Sequence, residues 1–103
     1  MGYKLEISEE VERQIDHSIE YIVKELRNPS AARGVLQDIE HAYDQLEEMP
    51  EAFATCEDPY LRAKSYRKLA LQKHAYVFIY RIEENRVFLV GFFHMLENYQ
   101  EKL

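Results

Sequence analysis

The chain of 103 residues carries 13 Lys and Arg against 19 Asp and Glu, a formal charge of −6, and 47% of it is apolar. That length supports one domain over residues 1–103, burying roughly 65% of its unfolded surface. No run approaches the ~18 uninterrupted apolar residues of a membrane span, no signal-peptide pattern opens the chain, and the lone Cys56 excludes an internal disulfide. A cytoplasmic location without membrane association is the expectation.

In chain order, Tyr3-Lys4-Leu5-Glu6-Ile7 alternates apolar and polar residues as a short strand does. Ser8 offers an N-cap, and Glu9, Glu10 and Glu12 suit the first turn of a helix. Val11, Ile15, Ile19, Ile22 and Leu26 line one face of that helix. Asn28-Pro29 ends it, and Ser30 is expected to cap the next. Ala32, Val35, Leu36, Ile39, Tyr43 and Leu46 form the second apolar face, which Pro50 stops. The short link predicts an antiparallel helical hairpin. Residues 50–60 read as the one substantial loop, with Pro50, Cys56 and Asp58-Pro59. Strands are expected near 63–71, 75–82 and 86–93, followed by a short amphipathic tail. The fold class is α+β in the order β-α-α-β-β-β, with the hairpin packed on one face of a small antiparallel sheet.

Glu84-Asn85 is the predicted turn of the last hairpin, pairing Ile82 with Val87 and Tyr80 with Leu89. Strict alternation then puts Tyr76, Phe78, Tyr80, Ile82, Val87, Leu89 and Phe93 on one face, towards the helices. Val77, Ile79, Arg81, Phe88, Val90, Phe92 and His94 fall on the other. That second face is expected to be a groove whose apolar floor needs a cover: the tail, the 50–60 loop or a partner chain. The same register places Arg67 on the helix side with Leu69 and Leu71, unless a bulge between Gln72 and His74 turns it into the groove.

Charge divides the chain unequally. Residues 1–60 hold 5 Lys/Arg and 15 Asp/Glu, and residues 61–103 hold 8 and 4. A basic sheet side facing an anion or an acidic partner is the functional expectation. His94, at the end of the last strand, has the pKa class for acid–base work near neutrality. The four His show no ligand-like spacing with one another or with Cys56, so neither a metal site nor a cofactor is expected.

Several segments together carry a family resemblance: Tyr3-Lys4-Leu5-Glu6-Ile7-Ser8, Leu26-Arg27-Asn28-Pro29-Ser30-Ala31-Ala32 and Leu46-Glu47-Glu48-Met49-Pro50. They are followed by Leu61-Arg62-Ala63-Lys64-Ser65-Tyr66-Arg67-Lys68-Leu69, Tyr76-Val77-Phe78-Ile79-Tyr80-Arg81-Ile82 and His94…Tyr99. In this order and spacing the chain resembles the RelE/ParE superfamily of type II toxin–antitoxin toxins, the plasmid-stabilisation type. The resemblance implies a bacterial growth inhibitor held in check by a cognate antitoxin. RelE-like members cut mRNA in the ribosomal A site without a metal, whereas ParE-like members poison DNA gyrase. An endoribonuclease would draw its catalytic groups from Arg67, His94 and Tyr99. Arg62, Lys64, Lys68, Lys73 and Arg81 are the candidate nucleic-acid or target contacts. Val77, Ile79, Phe88, Val90 and Phe92 are the candidate antitoxin groove.

The chain departs from the nuclease branch at two places. Val77 stands where that branch carries an Arg, and Met95-Leu96-Glu97 where it favours basic residues. A non-catalytic gyrase poison and an inactive relic that only binds antitoxin are therefore the alternatives to a nuclease. A homodimer is a further open partner.

Overall fold

The computed structural model describes residues 2–103. Strand β1 (Lys4–Ile7) leads into helix α1 (Glu9–Lys24), which Ser8 caps by accepting the Val11 N–H at 3.2 Å. Helix α2 (Pro29–Glu48) starts two residues earlier than a Ser30 cap would put it. Asn28 is the cap, accepting the Ala31 N–H at 3.1 Å, and Pro29 fills the first helical position, where its missing N–H costs nothing.

The 50–60 region is not a plain loop. It holds a 3₁₀ turn (Pro50–Ala52) and the short helix α3 (Pro59–Ala63). Asp58 nucleates α3 by accepting the N–H groups of Tyr60 and Leu61 at 2.9 and 3.1 Å, again with Pro at the first position. As a result β2 is shorter than expected and runs Arg67–Ala70. Strand β3 covers Tyr76–Glu83 and β4 covers Arg86–His94, and a 3₁₀ turn (Tyr99–Glu101) sits in the tail.

The strand order is β1-β4-β3-β2. The β2-β3-β4 meander is antiparallel as expected, and β1 adds to β4 in parallel, Leu5 opposite Val87, so the sheet is mixed. The helical hairpin covers one face. Val11, Ile15, Val35, Ile39 and Leu46 pack there against Phe78, Tyr80, Val87 and Leu89. By area bookkeeping each such side chain contributes about 1.5–3 kcal/mol when fully buried.

One polar group is built into this helix–sheet layer. Asp38 of α2 is 6% exposed and receives three donors from the β2–β3 turn. These are the N–H of Lys73 at 2.8 Å, the N–H of Gln72 at 3.3 Å and the His74 ring Nδ1 at 3.0 Å. Burial pushes the Asp38 carboxyl up, but the bonds from His74, Lys73 and Gln72 outweigh it and hold the group below its ordinary value. Gly34, one turn before Asp38 on α2, lets the His74 ring lie close: a Cβ there would stand 3.2 Å from its Nε2.

Because the folded carboxyl titrates below its unfolded value of about 4, its contribution is complete above that pH and is lost as pH falls through the folded value. Asp38→Ala strands the turn donors and should cost about 2–3 kcal/mol, lowering Tm by roughly 10–20 °C. Thermal melts between pH 7 and 3 should also show a shallower acid limb in the variant. A wild-type-like melting curve with an unchanged acid limb would show that Asp38 does not stabilise the turn.

Candidate functional site

The second sheet face is decided by one irregularity. The β3–β4 register shifts between Ile79 and Tyr80, with Ile79 opposite Gly91 and Tyr80 opposite Leu89, so Val90 is the extra residue of a bulge. Beyond it every side chain changes face. Phe92, expected in the groove, packs in the helix-side core, 4.9 Å from Phe78 and stacked on Tyr76 at 5.1 Å. Phe93 takes its place on the second face beside Val77 and Ile79. The Phe93 ring folds back over Gly91 so closely that a Cβ there would lie 2.3 Å from it. Gly91, inside an otherwise apolar strand, was the sequence signal for this bulge.

The floor is not open. Leu61 of α3 and the Cys56 thiol seal it, and Tyr66, Tyr99 and Leu103 pack around them. Tyr99 stacks on Phe93 at 5.6 Å and 16°, a packing role for the tail. Burial raises the Cys56 thiol above its usual range, with Lys68 opposing weakly, so the thiol is structural. Of the five-residue antitoxin groove, Val77 and Ile79 are covered by the chain's own segments and Phe92 lies on the other side of the sheet. Only Phe88 and Val90 remain half-exposed, and the Arg81 guanidinium lies 4.2 Å above the Phe88 ring.

What stays open is the outer edge of β2. Segment 54–56 pairs with its first part: Lys68 N–H donates to the Ala54 carbonyl at 3.1 Å and Cys56 N–H to the Tyr66 carbonyl at 2.9 Å. The pairing stops there. The parity that turns Lys68 N–H outward also turns Ala70 N–H outward, and no partner meets it among the described residues. Alongside runs a recess of about 580 Å³ between Gln45, Phe53, Lys68, Val77, Met95 and Tyr99.

The three candidate catalytic residues do not converge. Arg67 lies on the helix side with no bulge needed, and its guanidinium donates to the Phe53 carbonyl at 2.6 Å and the Glu51 carbonyl at 3.4 Å. Beside it the buried Tyr80 hydroxyl donates to the Pro50 carbonyl at 2.6 Å, and burial drives its pKa far up. His94 also sits on the helix side, edge-on to Tyr76 rather than at a groove mouth, because the bulge turned it. Its Nδ1 accepts the Leu96 N–H at 3.1 Å and its own N–H donates to Glu97 Oε1 at 3.0 Å. Arg67 is level with Tyr80 and His94 with Tyr76, four residues along β3. That separation is about 13 Å at ~3.3 Å per residue. Tyr99 belongs to the opposite face.

The candidate target contacts scatter likewise. Lys64 lies over the Tyr60 and Tyr66 rings at 4.4 and 5.7 Å, Arg81 pairs with Glu83, and Lys73 is in the β2–β3 turn. Lys68 lines the β2-edge recess. Arg62 alone is brought beside Arg67. Among the described residues no group of three or more His, Cys, Asp or Glu is arranged to hold a metal, and no helix is long and apolar enough to cross a membrane.

A helical hairpin on this sheet, with β1 returning parallel to the last strand, defines a RelE/ParE-type toxin fold. The family model described as the ParE toxin of the type II toxin–antitoxin system, parDE, matches residues 5–99, and the chain belongs to that family. Among solved structures it is similar to a chain of the chromosomal ParDE toxin–antitoxin system from P. aeruginosa. The TM-score is 0.72 at 18% identity, covering 89% of this chain and 95% of that one. No curated protein matches at a significant level. The chain is thus the toxin of a type II toxin–antitoxin module.

The bulge should be demanding. Gly91→Ala drives a Cβ into the Phe93 ring and should cost about 1–3 kcal/mol. Cys56, 2% exposed, should then react faster with an aromatic disulfide reagent as the Phe93 cluster loosens. Unchanged stability and thiol reactivity would show that Phe93 does not need the glycine.

Proposed function

We propose that this toxin inhibits growth by binding DNA gyrase, without cutting ribosome-bound mRNA, and that a cognate antitoxin neutralises it in the bacterial cytoplasm. The dispersal of Arg67, His94 and Tyr99 carries the choice. Cleavage through a 2′-hydroxyl needs cations and an acid–base group gathered at one phosphate. Here one candidate is tied to main-chain carbonyls, one holds a turn and one packs the tail on the far face. Val77, where the nuclease branch carries an Arg, points the same way. The membership in the ParE toxin family supports gyrase as the target class.

Antitoxin capture is assigned to the β2 edge. The outward Ala70 N–H and the apolar recess beside it suit an added strand whose side chains drop onto Phe53 and Met95. Lys68 at that edge suits an antitoxin segment of mixed charge.

Expression of the chain alone should slow growth and accumulate gyrase–DNA cleavage complexes, with no new mRNA ends on translating ribosomes. His94→Ala should leave toxicity intact, because no proton transfer is asked of it. Site-specific mRNA cuts that vanish with His94→Ala would replace this reading with the nuclease. Unimpaired growth at high soluble expression would leave only a relic that binds antitoxin.

For the partner site, Ala70→Pro removes an edge donor that β3 does not use. Antitoxin affinity should fall about tenfold or more, the scale of a lost buried hydrogen bond with its neighbours, while the fold persists by circular dichroism. A folded variant that binds antitoxin at full strength would move the site elsewhere.

A further inference from the structure

Where β2 begins, Arg62, Arg67, Thr55, Ser65, Glu51 and Ile82 enclose a recess of about 290 Å³. Its two guanidiniums are held by the same stretch of main chain. Arg62 Nε donates to the Cys56 carbonyl at 3.2 Å, and Arg67 Nη1 is spent on the carbonyls of Glu51 and Phe53. That anchoring leaves both Nη groups of Arg62, and Nε and Nη2 of Arg67, unspent. Among the described residues neither guanidinium meets a carboxylate within 4.0 Å. Among the described residues the Thr55 and Ser65 hydroxyls at the same recess have no hydrogen-bond partner either. The one acidic group there, Glu51, already accepts the Tyr3 hydroxyl.

Two fixed guanidiniums that no carboxylate contacts, with two hydroxyls beside them, outnumber the single Glu51 charge around one small recess and form the donor set of an oxyanion. We propose that it is a phosphate-binding subsite, taking a non-bridging phosphate oxygen pair of a DNA backbone. Arg presents paired N–H groups that match phosphate geometry, and side chains already ordered by carbonyls lose little entropy on binding. The lining contains no aromatic ring on which a base could stack, so the recess reads phosphate and not sequence. Both guanidiniums come from residues 61–103, the basic part of the chain, which makes anion capture possible on a protein of net charge −6. This assignment does not rest on the gyrase reading, since it concerns the isolated toxin and DNA alone.

The test uses the full chain at low salt with a 20-base-pair duplex of arbitrary sequence, and separately with inorganic phosphate. The arginine Nε–H NMR signals of Arg62 and Arg67 should move on adding duplex, while those of Arg13 and Arg33 stay still. Movement with duplex but not with millimolar inorganic phosphate supports a backbone phosphate. Movement with inorganic phosphate alone supports the same chemistry with a small phosphate as its source. Arg62→Gln should weaken duplex binding about tenfold and reduce the salt slope by about 1. Arg67→Gln also loosens segment 51–53, so Thr55→Val serves as the second variant; it should weaken binding about threefold with an unchanged melting temperature. The proposal is overturned if neither arginine signal responds to either probe. It also falls if Arg62→Gln and Thr55→Val bind duplex with wild-type affinity and salt slope.

Discussion

The bond from the Arg67 guanidinium to the carbonyls of residues 51 and 53 underlies most of what is distinctive here. With the Tyr80 hydroxyl on Pro50, it pins the segment that leaves α2 onto the start of the sheet. A hydrogen bond to a charged group contributes about 1.5–3 kcal/mol, and the buried Tyr80 bond adds to it. Once that segment is pinned, Ala54 and Cys56 pair with β2, α3 is delivered over the second face, and Leu61 and Cys56 close the floor. The same bond holds Arg67 on the helix side of the sheet, four β3 residues from the level of His94.

The second constraint is steric. A sheet of this size with two apolar faces has one helical hairpin to cover them. The bulge at Val90 resolves the conflict by sorting the two final aromatics, Phe92 to the helices and Phe93 to the cover made by α3 and the tail. Without it both faces would keep the wrong ring, and His94 would stand in the groove. A one-residue insertion in the ladder therefore changes which chemistry is available at the end of β4.

These two features leave the molecule with a limited set of surfaces for recognition. The sheet faces are largely occupied, which leaves the unfinished β2 edge with its apolar recess and the arginine recess where β2 begins for the contacts proposed above. Such a division suits a toxin that must be gripped by an antitoxin and still present a target-facing surface when released.

Local chemistry alone determined much of this. Helical periodicity and Ser8 marked α1, the Glu84-Asn85 turn set the first pairs of the β3–β4 hairpin, and the order of elements and the family were legible because they depend on near neighbours and on pattern. The Asp58-Pro59 cap of α3 was present in the sequence but sat among loop signals, and five residues are too few to show a period. Gly91 hinted at the bulge without fixing its register. What only the tertiary structure decided were the long-range pairings: Asp38 with His74, Arg67 with the carbonyls of 51 and 53, and Arg62 with Arg67, Thr55 and Ser65. The reason is physical. A donor's partner is chosen by which acceptors the packed chain leaves within about 3 Å, and no local propensity encodes that choice.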